Sequence, residues 1–251
     1  MNRDDVITDL HCHILPGIDD GSPDLETTRA LLEEEKRQGV TQIVFTPHFW
    51  SWQKTPKQFE KDRYYAAVKT NSLLDELDIS WSAGAEVRMT PEIMDMNLRR
   101  FVYVDSHYFL LEWPFDQFPL YGEEVVDKLL DMDVRPIFAH IERYDYFWND
   151  PDALTDYIEA GVVCQTNPGS VIHHHTRRKA LEFIKKGYIH VLSSDAHNMD
   201  QRPPRLREAY EIVEKELGRR YVEELLKNAD GIFHGKDITV RSPGQKLHRF
   251  F

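Results

Sequence analysis

The stretch Asp9-Leu10-His11-Cys12-His13 closes the first apolar run of the chain, residues 6–10, which is predicted to be a strand. Successive side chains of a strand point to opposite faces, so His11 and His13 share one face and Cys12 takes the other. Two imidazoles at a strand end offer neutral nitrogen ligands aimed at a common point. A His pair also occurs as a hydrogen-bonded loop feature, so the metal-site interpretation depends on how the other strands end.

Short apolar, β-branched runs alternate with helical stretches along the rest of the chain. Further strands are predicted at residues 40–46, 79–85, 108–112, 134–140, 162–167 and 189–194. Among the helices, one is predicted to open with Ser22-Pro23, one with a capping box at residues 55–58, and the last covers residues 221–228. Seven strands alternating with helices are typical of parallel βαβ units. We therefore expect an α/β fold with a barrel-like or doubly wound parallel sheet.

Length and composition indicate the class of protein. The 251 residues are the usual size of one (β/α) barrel, so a single domain over residues 1–251 is expected. Because 41% of the residues are hydrophobic, 29% are charged and no apolar run reaches 18 residues, we expect a globular protein without a membrane span. The start lacks the apolar segment of a signal peptide, and Cys12 and Cys164 are the only cysteines, so a cytoplasmic location is expected.

The net charge of −12 argues against general affinity for nucleic acid. It is compatible with a phosphorylated ligand, provided that metal ions or a few arginines supply a local positive centre.

Ionisable side chains follow six of the seven predicted strands. In parallel α/β folds the chemistry lies at the carboxyl ends of the strands, which meet at one rim. The residues concerned are His11, His13, His48, Glu86, Glu112, His140, Asp195 and His197. The sixth strand ends in Cys164-Gln165-Thr166-Asn167 and offers no obvious ligand. Ordinary polar residues at helix starts are the alternative, but six strand ends of this kind favour a functional cluster.

Five histidines and several carboxylates without a thiolate suit Mn²⁺, Fe or Zn²⁺. The ligands are too many for one ion, so two or three ions are expected, and Glu86 is suited to bridge two of them. Such a cluster acidifies a bound water and gathers phosphoryl oxygens, which indicates a phosphoester hydrolase. Asp19-Asp20-Gly21, in the first strand-to-helix loop, is either a simple turn or places Asp20 at the cluster from the side.

With these residues in hand, the chain resembles a polymerase-and-histidinol-phosphatase (PHP) domain. More narrowly, it resembles the bacterial metal-dependent tyrosine phosphatases of capsule and exopolysaccharide synthesis. The motifs that carry the resemblance are residues 9–21, Thr46-Pro47-His48, Gly84-Ala85-Glu86, Ala139-His140-Ile141-Glu142-Arg143-Tyr144, Ser193-Ser194-Asp195-Ala196-His197-Asn198 and Arg202-Pro203-Pro204. Residues 238–251 match nothing in the family.

The resemblance implies a distorted (β/α)7 TIM-like barrel of the PHP type with a trinuclear centre, often of manganese. It implies three ligand sets, which are His11, His13, Glu86 and Asp195; Glu86, Glu112 and His140; and Asp20, His48 and His197. The implied partner is a phosphotyrosine protein, such as the tail of a bacterial tyrosine kinase, and the oligomeric state is left open.

Arg143 and Arg202 lie in loops beside the cluster, where a guanidinium can bind phosphate oxygens through bidentate hydrogen bonds. The alternative is a rim salt bridge with Glu142 or Asp200. Aromatic residues crowd the loops after strands two and four, either as helix-to-barrel packing or as a shallow wall for a phosphotyrosyl ring. These residues are Phe49, Trp50, Trp52, Trp113, Phe115, Phe118 and Tyr121.

The predicted activity is hydrolysis of phosphotyrosine on a protein, with Arg143 and Arg202 stabilising charge on the phosphoryl oxygens and Asp20 or His48 supplying some acid assistance. Two alternatives stay open. One is a small-molecule phosphomonoesterase, for example one acting on histidinol phosphate, and the other is a non-catalytic metal-binding regulatory barrel.

Overall fold

The computed structural model describes Met1 and residues 5–244, so residues 245–251 of the unmatched tail lie outside the described part. The described residues form nine strands: β1 (Ile7–Cys12), β2 (Val40–Phe45), β3 (His48–Phe49), β4 (Ser80–Ala83), β5 (Glu86–Arg88), β6 (Tyr108–Glu112), β7 (Arg135–Phe138), β8 (Val163–Thr166) and β9 (Val191–Leu192). Between them lie the helices α1 (Leu25–Arg37), α2 (Pro56–Leu77), α3 (Gly122–Asp131), α4 (Asp145–Trp148), α5 (Thr155–Glu159), α6 (Pro168–Ile172), α7 (His174–Lys186), α8 (Leu206–Leu217) and α9 (Arg219–Phe233). None of these helices is long and apolar enough to cross a membrane.

The strands form two sheets in which every pairing is parallel. One sheet has the order β1-β2-β4 and the other the order β3-β5-β6-β7-β8-β9. After β9 the chain returns to β1, where Cys12 forms a parallel bridge with Ala196 and the His11 carbonyl accepts a hydrogen bond from the Asp195 backbone N–H at 2.7 Å. The prediction of a mixed α/β fold with parallel sheets is therefore confirmed.

Two of the predicted strands are interrupted. The strand predicted at residues 40–46 is β2, which ends at Phe45. After Thr46-Pro47 the chain resumes as β3. The strand predicted at residues 79–85 is β4, which ends at Ala83. After Gly84-Ala85 the chain resumes as β5, which was not predicted. Pro47 has no N–H for a strand ladder. Gly84 packs against Tyr103, whose ring would lie 2.3 Å from any added Cβ. These breaks bring His48 and Glu86 to the start of new strand segments, where they pair in register.

The predicted start of the first helix is wrong by two residues. Asp24, not Ser22, caps α1, because its carboxylate accepts the Thr27 N–H at 2.8 Å. The Ser22 hydroxyl is hydrogen-bonded to Thr28 instead. The capping box of α2 is confirmed, and the last helix is longer than residues 221–228.

Apolar side chains cover both faces of the sheets. Along β6, Phe109 and Leu111 pack in the large core between sheet and helices, while Tyr108 and Leu110 belong to a second cluster with Leu10 and other strand residues. A strand buried on both faces is typical of parallel sheets covered by helices. This packing holds the strands rigidly, so the side chains at their carboxyl ends have little freedom.

Candidate metal centre

His11 and His13 lie at the carboxyl end of β1, fully buried, with their Nε2 atoms 3.2 Å apart. The Nδ1 atom of His13 is 2.7 Å from the Asp19 carboxylate, and the Nδ1 atom of His11 is 3.2 Å from Gln165 Oε1. Because each Nδ1 has an oxygen acceptor, the proton is held there and both Nε2 lone pairs are directed at the same point. The strand thus presents two nitrogen ligands together.

Glu86 and Asp195 complete a group of four buried side chains around this point. Glu86 Oε2 lies 3.3 Å from the Nε2 atom of His11 and 3.2 Å from that of His13, and Asp195 Oδ1 lies 3.5 and 3.4 Å from the same atoms. One ligand atom from each residue falls within 4.8 Å of the others, which is the spacing that a metal ion requires. The group combines two nitrogens and two carboxylates, a set suited to Mn²⁺, Fe or Zn²⁺.

Two further groups share residues with the first. One comprises His13, Asp20, His48 and His197, and the other comprises His48, Glu86 and Glu112. His140 adjoins the latter, with its Nε2 atom 2.7 Å from Glu86 Oε1 and 3.8 Å from Glu112 Oε1. All nine side chains named from the sequence as ligands therefore lie in one connected cluster. Asp20, in the loop, is its most exposed member, with a side chain 56% exposed.

Buried polar atoms without partners test whether metal ions fit this cluster. Within the described residues, His48 Nδ1, Glu86 Oε2, Asp195 Oδ1 and His197 Nε2 are buried and make no well-directed hydrogen bond, although His48 Nδ1 lies 2.9 Å from Glu86 Oε2. A buried polar atom without a partner costs about 1–3 kcal/mol, and folded proteins seldom retain several in one place. All four atoms belong to the groups described above, and imidazole nitrogens and carboxylate oxygens are metal donors. The residues therefore fit divalent ions.

The electrostatics of the cluster favour ionised carboxylates beside imidazoles. Burial by itself would raise the pKa of Glu86, but His11 and His48 outweigh it, and the pKa lies well below its usual range. Burial would likewise lower the pKa of His13, yet Asp19 raises it well above normal. Glu112 differs, because burial and the neighbouring Glu86 raise its pKa. Protons on these imidazoles are what incoming cations would displace, so metal binding should release protons.

Two cluster residues adopt left-handed backbone conformations. His140 has φ 29° and Asp195 has φ 52°, a region that residues other than glycine seldom occupy. The His140 N–H donates to Gln165 Oε1 at 2.7 Å and the Asp195 N–H to the His11 carbonyl at 2.7 Å. Strain that surrounding hydrogen bonds maintain is found mainly at functional sites.

Sequence reasoning missed the residues that orient the ligands. Asp19 holds His13, and Gln165 contacts both His11 and His140. Asn167 donates to Asp195 Oδ2 at 2.7 Å, and Asp9 accepts the Ser194 N–H at 2.8 Å next to Asp195. The available signals were the Asp19-Asp20 pair and the polar end of the sixth strand, which supplies supporting side chains rather than ligands.

A cavity of about 310 Å³ opens above the cluster. It is lined by Asp20, His48 and Glu112 of the cluster and by Trp50, Trp52, Arg88, Phe115, Arg143 and Arg202. Arg202 Nη2 lies 2.5 Å and Arg143 Nη1 lies 3.7 Å from Asp195 Oδ2. The alternative pairing of these arginines with Glu142 or Asp200 is thus wrong, because both guanidinium groups face Asp195, and the Glu142 carboxylate accepts from the Thr166 hydroxyl and the Asn167 N–H. Arg88 was not singled out from the sequence.

The aromatic residues divide between the two roles considered for them. Phe49 and Trp113 are buried in the core and account for packing. Trp50 stacks on His48 with ring centroids 4.8 Å apart, and Trp52 lies parallel to Trp50 at 6.0 Å. Trp50, Trp52 and Phe115 line the cavity and provide flat apolar surface beside the cluster.

Comparison with known proteins gives a consistent result. Residues 7–234 match the family described as "Capsular polysaccharide synthesis, CpsB/CapC". The tyrosine-protein phosphatase YwqE of Bacillus subtilis (strain 168) is 31% identical over 250 residues, 96% of each chain. The tyrosine-protein phosphatase CpsB of Streptococcus pneumoniae is 30% identical over 229 residues, 86% of this chain and 93% of its own.

A solved structure is similar over nearly the whole length. It comes from work on YwqE from Bacillus subtilis and CpsB from Streptococcus pneumoniae, described there as "unique metal-dependent tyrosine phosphatases". The TM-score is 0.85 at 28% sequence identity, covering 97% of this chain and all of that one.

Proposed function

The chain belongs to the CpsB/CapC family, and we propose that it is a metal-dependent protein-tyrosine phosphatase. The single observation that carries the proposal is the arrangement of the site. A buried cluster of imidazoles and carboxylates with unpaired ligand atoms lies beneath a cavity lined by arginines and aromatic rings. Cations and guanidinium groups suit the phosphoryl group, and flat apolar surface suits the phenyl ring.

We propose that the cluster holds two or three divalent ions, with manganese as the first choice and iron or zinc as alternatives. One ion would take His11, His13, Glu86 and Asp195. A second would take Glu86, Glu112 and His140, and a third would take Asp20, His48 and His197. The short distances among these side chains support the assignment, and the sharing of Glu86 fits a bridging carboxylate.

Such ions supply an acidified water and neutralise charge on phosphoryl oxygens. Binding and orientation of the phosphoryl group are assigned to residues of the chain itself. The Arg143 side chain forms no hydrogen bond with any described residue; it lies 3.7 Å from Asp195 and packs on the Phe115 ring, so its donors are available to substrate oxygens. Arg202 donates to Asp195 through Nη2 and approaches from the same side. Both are proposed as catalytic residues that bind and orient the phosphoryl group.

Acid assistance is assigned to Asp20 or His48. The phenol of tyrosine has a pKa of about 10, so it leaves more readily than an alkoxide and needs only modest help. Asp20 lies at the cavity mouth with Oδ1 3.4 Å from His48 Nε2. Because a third ion would occupy these ligand atoms, the acid role of this pair belongs to the form of the cluster that holds two ions.

For the fold, we propose one domain built as a distorted (β/α)7 barrel. Taking β2 with β3, and β4 with β5, as single interrupted strands leaves seven strands. The pairings then run in sequence order, and the Cys12–Ala196 bridge supports a contact between the last strand and the first. The two free, buried cysteines support the cytoplasm as the compartment.

We propose that the substrate is a phosphotyrosine protein of capsular or exopolysaccharide synthesis, with a tyrosine kinase tail as the first candidate. The family description supports the pathway. The open cavity, rather than a closed pocket, supports a residue presented on a protein segment over a free metabolite.

The test is metal content measured together with hydrolysis of a phosphotyrosyl peptide, before chelation, after it, and after Mn²⁺ is added back. Activity and metal should be lost and regained together. Glu86→Gln should lose both, while Glu76→Gln, on the exposed face of α2, should lose neither. Full activity after complete removal of metal would refute the proposal. A higher rate on histidinol phosphate than on the peptide would favour the small-molecule alternative.

A further inference from the structure

Arg88 is a third arginine at the cavity, and the proposed mechanism does not use it. It is the last residue of β5, two positions after Glu86, and its side chain is 20% exposed. Its Nη1 atom lies 3.2 Å from Glu112 Oε2, and its guanidinium carbon lies 4.5 Å from the centroid of the Phe115 ring. Strand pairing places Arg88 directly beside Glu112, so the side chain is fixed on this side of the cavity.

Most of the hydrogen-bonding capacity of Arg88 is unused. Within the described residues its contacts are the one with Glu112 and the one with the Phe115 ring. A guanidinium carries five N–H donors in a planar fork. At least one full edge of the fork therefore remains for a ligand that enters the cavity.

The three arginines fall into two sets. Arg143 and Arg202 approach the same atom, Asp195 Oδ2, whereas Arg88 approaches Glu112. Phe115 contacts both sets, since the guanidinium carbon of Arg143 is also 4.5 Å from its centroid. One phosphoryl group held by Arg143 and Arg202 beside Asp195 would leave Arg88, which is paired with Glu112 instead, free for a different group.

We propose that Arg88 is a specificity-determining residue that binds a second anionic group, carboxylate or phosphoryl, on the same peptide as the phosphotyrosine. The inference rests on the proposed function and adds a sequence preference to it. A chain with a net charge of −12 repels acidic peptides in general, so a local cation beside the site is what makes an acidic flank favourable. The planar fork matches either anion with two hydrogen bonds.

The experiment compares kcat/KM for three peptides that differ beside the phosphotyrosine. The flanking residue is alanine, glutamate or a non-hydrolysable phosphonate analogue of phosphotyrosine. The enzymes are the full chain, Arg88→Gln and a control, Arg205→Gln. Glutamine keeps an amide donor for Glu112 but removes the charge. Arg205 is a more exposed arginine whose charge is paired with Glu208 and which does not line this cavity.

The full chain and the control should favour an anionic flank over alanine by about fivefold, the effect of one partly exposed ion pair. Arg88→Gln should reduce the ratio of kcat/KM for the anionic peptides over the alanine peptide to about one. Raised ionic strength should do the same in the full chain. The anionic peptide with the larger increase in kcat/KM over the alanine peptide identifies which anion, carboxylate or phosphoryl, Arg88 prefers. Equal rates on all three peptides, or a preference that persists in Arg88→Gln, would overturn the inference. Hydrolysis of no phosphotyrosyl peptide at all would instead refute the proposed function.

Discussion

Asp19→Asn should weaken metal binding without unfolding the protein. The Asp19 carboxylate is buried and accepts three hydrogen bonds, from His13 Nδ1 at 2.7 Å, the His48 N–H at 2.9 Å and the Gly21 N–H at 3.0 Å. The first two reach Oδ2 and the third reaches Oδ1. Asparagine has the same shape but only one acceptor oxygen, so it cannot satisfy all three donors.

The magnitude follows from the best orientation of the amide. With its oxygen in the place of Oδ2, the substituted side chain keeps His13 and His48 but turns its NH₂ group against the Gly21 N–H. Replacing this accepted hydrogen bond by two donors that face each other costs about 1–3 kcal/mol of folding free energy. It also removes the negative charge that raises the pKa of His13 and strengthens Nε2 as a ligand. Loss of a carboxylate that orients a ligating histidine lowers metal affinity by about 10- to 100-fold, or about 1.4–2.7 kcal/mol.

The assay is competition for Mn²⁺ against a chromogenic chelator, with circular dichroism to verify folding. Asp24→Asn is the matched control, since Asp24 only caps α1 and asparagine caps a helix equally well. The control should bind Mn²⁺ like the unsubstituted chain. If Asp19→Asn binds Mn²⁺ within threefold of the control while folded, the orienting role of Asp19 is wrong.

Three further predictions concern the cluster, the pH response and the core. Alanine at Glu86 or His140 should reduce turnover by more than the 10- to 100-fold expected of an orienting residue. The far-ultraviolet circular dichroism spectrum should be retained. Full activity in either variant would refute the cluster mechanism. Burial lowers the pKa of His190 to about 4, so as pH falls below about 6.5 the unfolded chain gains a proton that the folded chain does not. Stability should therefore fall between pH 6.5 and 4 by about 3 kcal/mol through this residue, and urea denaturation of His190→Asn should show a correspondingly flatter profile. Trp113→Ala, which empties a fully buried site beside Phe138, should cost about 3–5 kcal/mol by the same denaturation measurement, and a loss under 1 kcal/mol would contradict the packing described.

The ligand positions could be predicted from sequence because they depend on two simple regularities. Alternation along β1 places His11 and His13 on one face, and parallel strands bring their carboxyl ends to one rim. Glu86 and Asp195 follow from the second rule alone, although Asp195 takes a left-handed conformation that no local pattern indicated. Asp-Gly chemistry predicted a turn at residues 19–21, but it could not say which of two adjacent carboxylates points inward.

The supporting residues were harder to predict, because their role depends on contacts between distant strands. Gln165 has no charge, so a search for ionisable strand ends passes over it, yet its amide oxygen serves both His11 and His140. Arg88 was overlooked because the break at Gly84-Ala85 starts a strand segment that the apolar pattern did not indicate. Turns and sheet interruptions of this kind are set by tertiary packing, here against Tyr103, rather than by local preference.

The supporting residues also explain why the chemistry needs the whole fold. Two of the ligands are held by side chains from other strands: His11 by Gln165 of β8, and Asp195 by Asn167 just beyond it. Asp9 of β1 in turn accepts from Ser194, which fixes the loop carrying Asp195 against the first strand. The His11–Gln165 and Asp9–Ser194 pairs are separated by 154 and 185 residues, so they can define ligand positions only when β1, β8 and the segment after β9 are already adjacent. The geometry of the cluster is therefore a product of the folded sheet, and binding of ions to it should stabilise the folded state over the unfolded one.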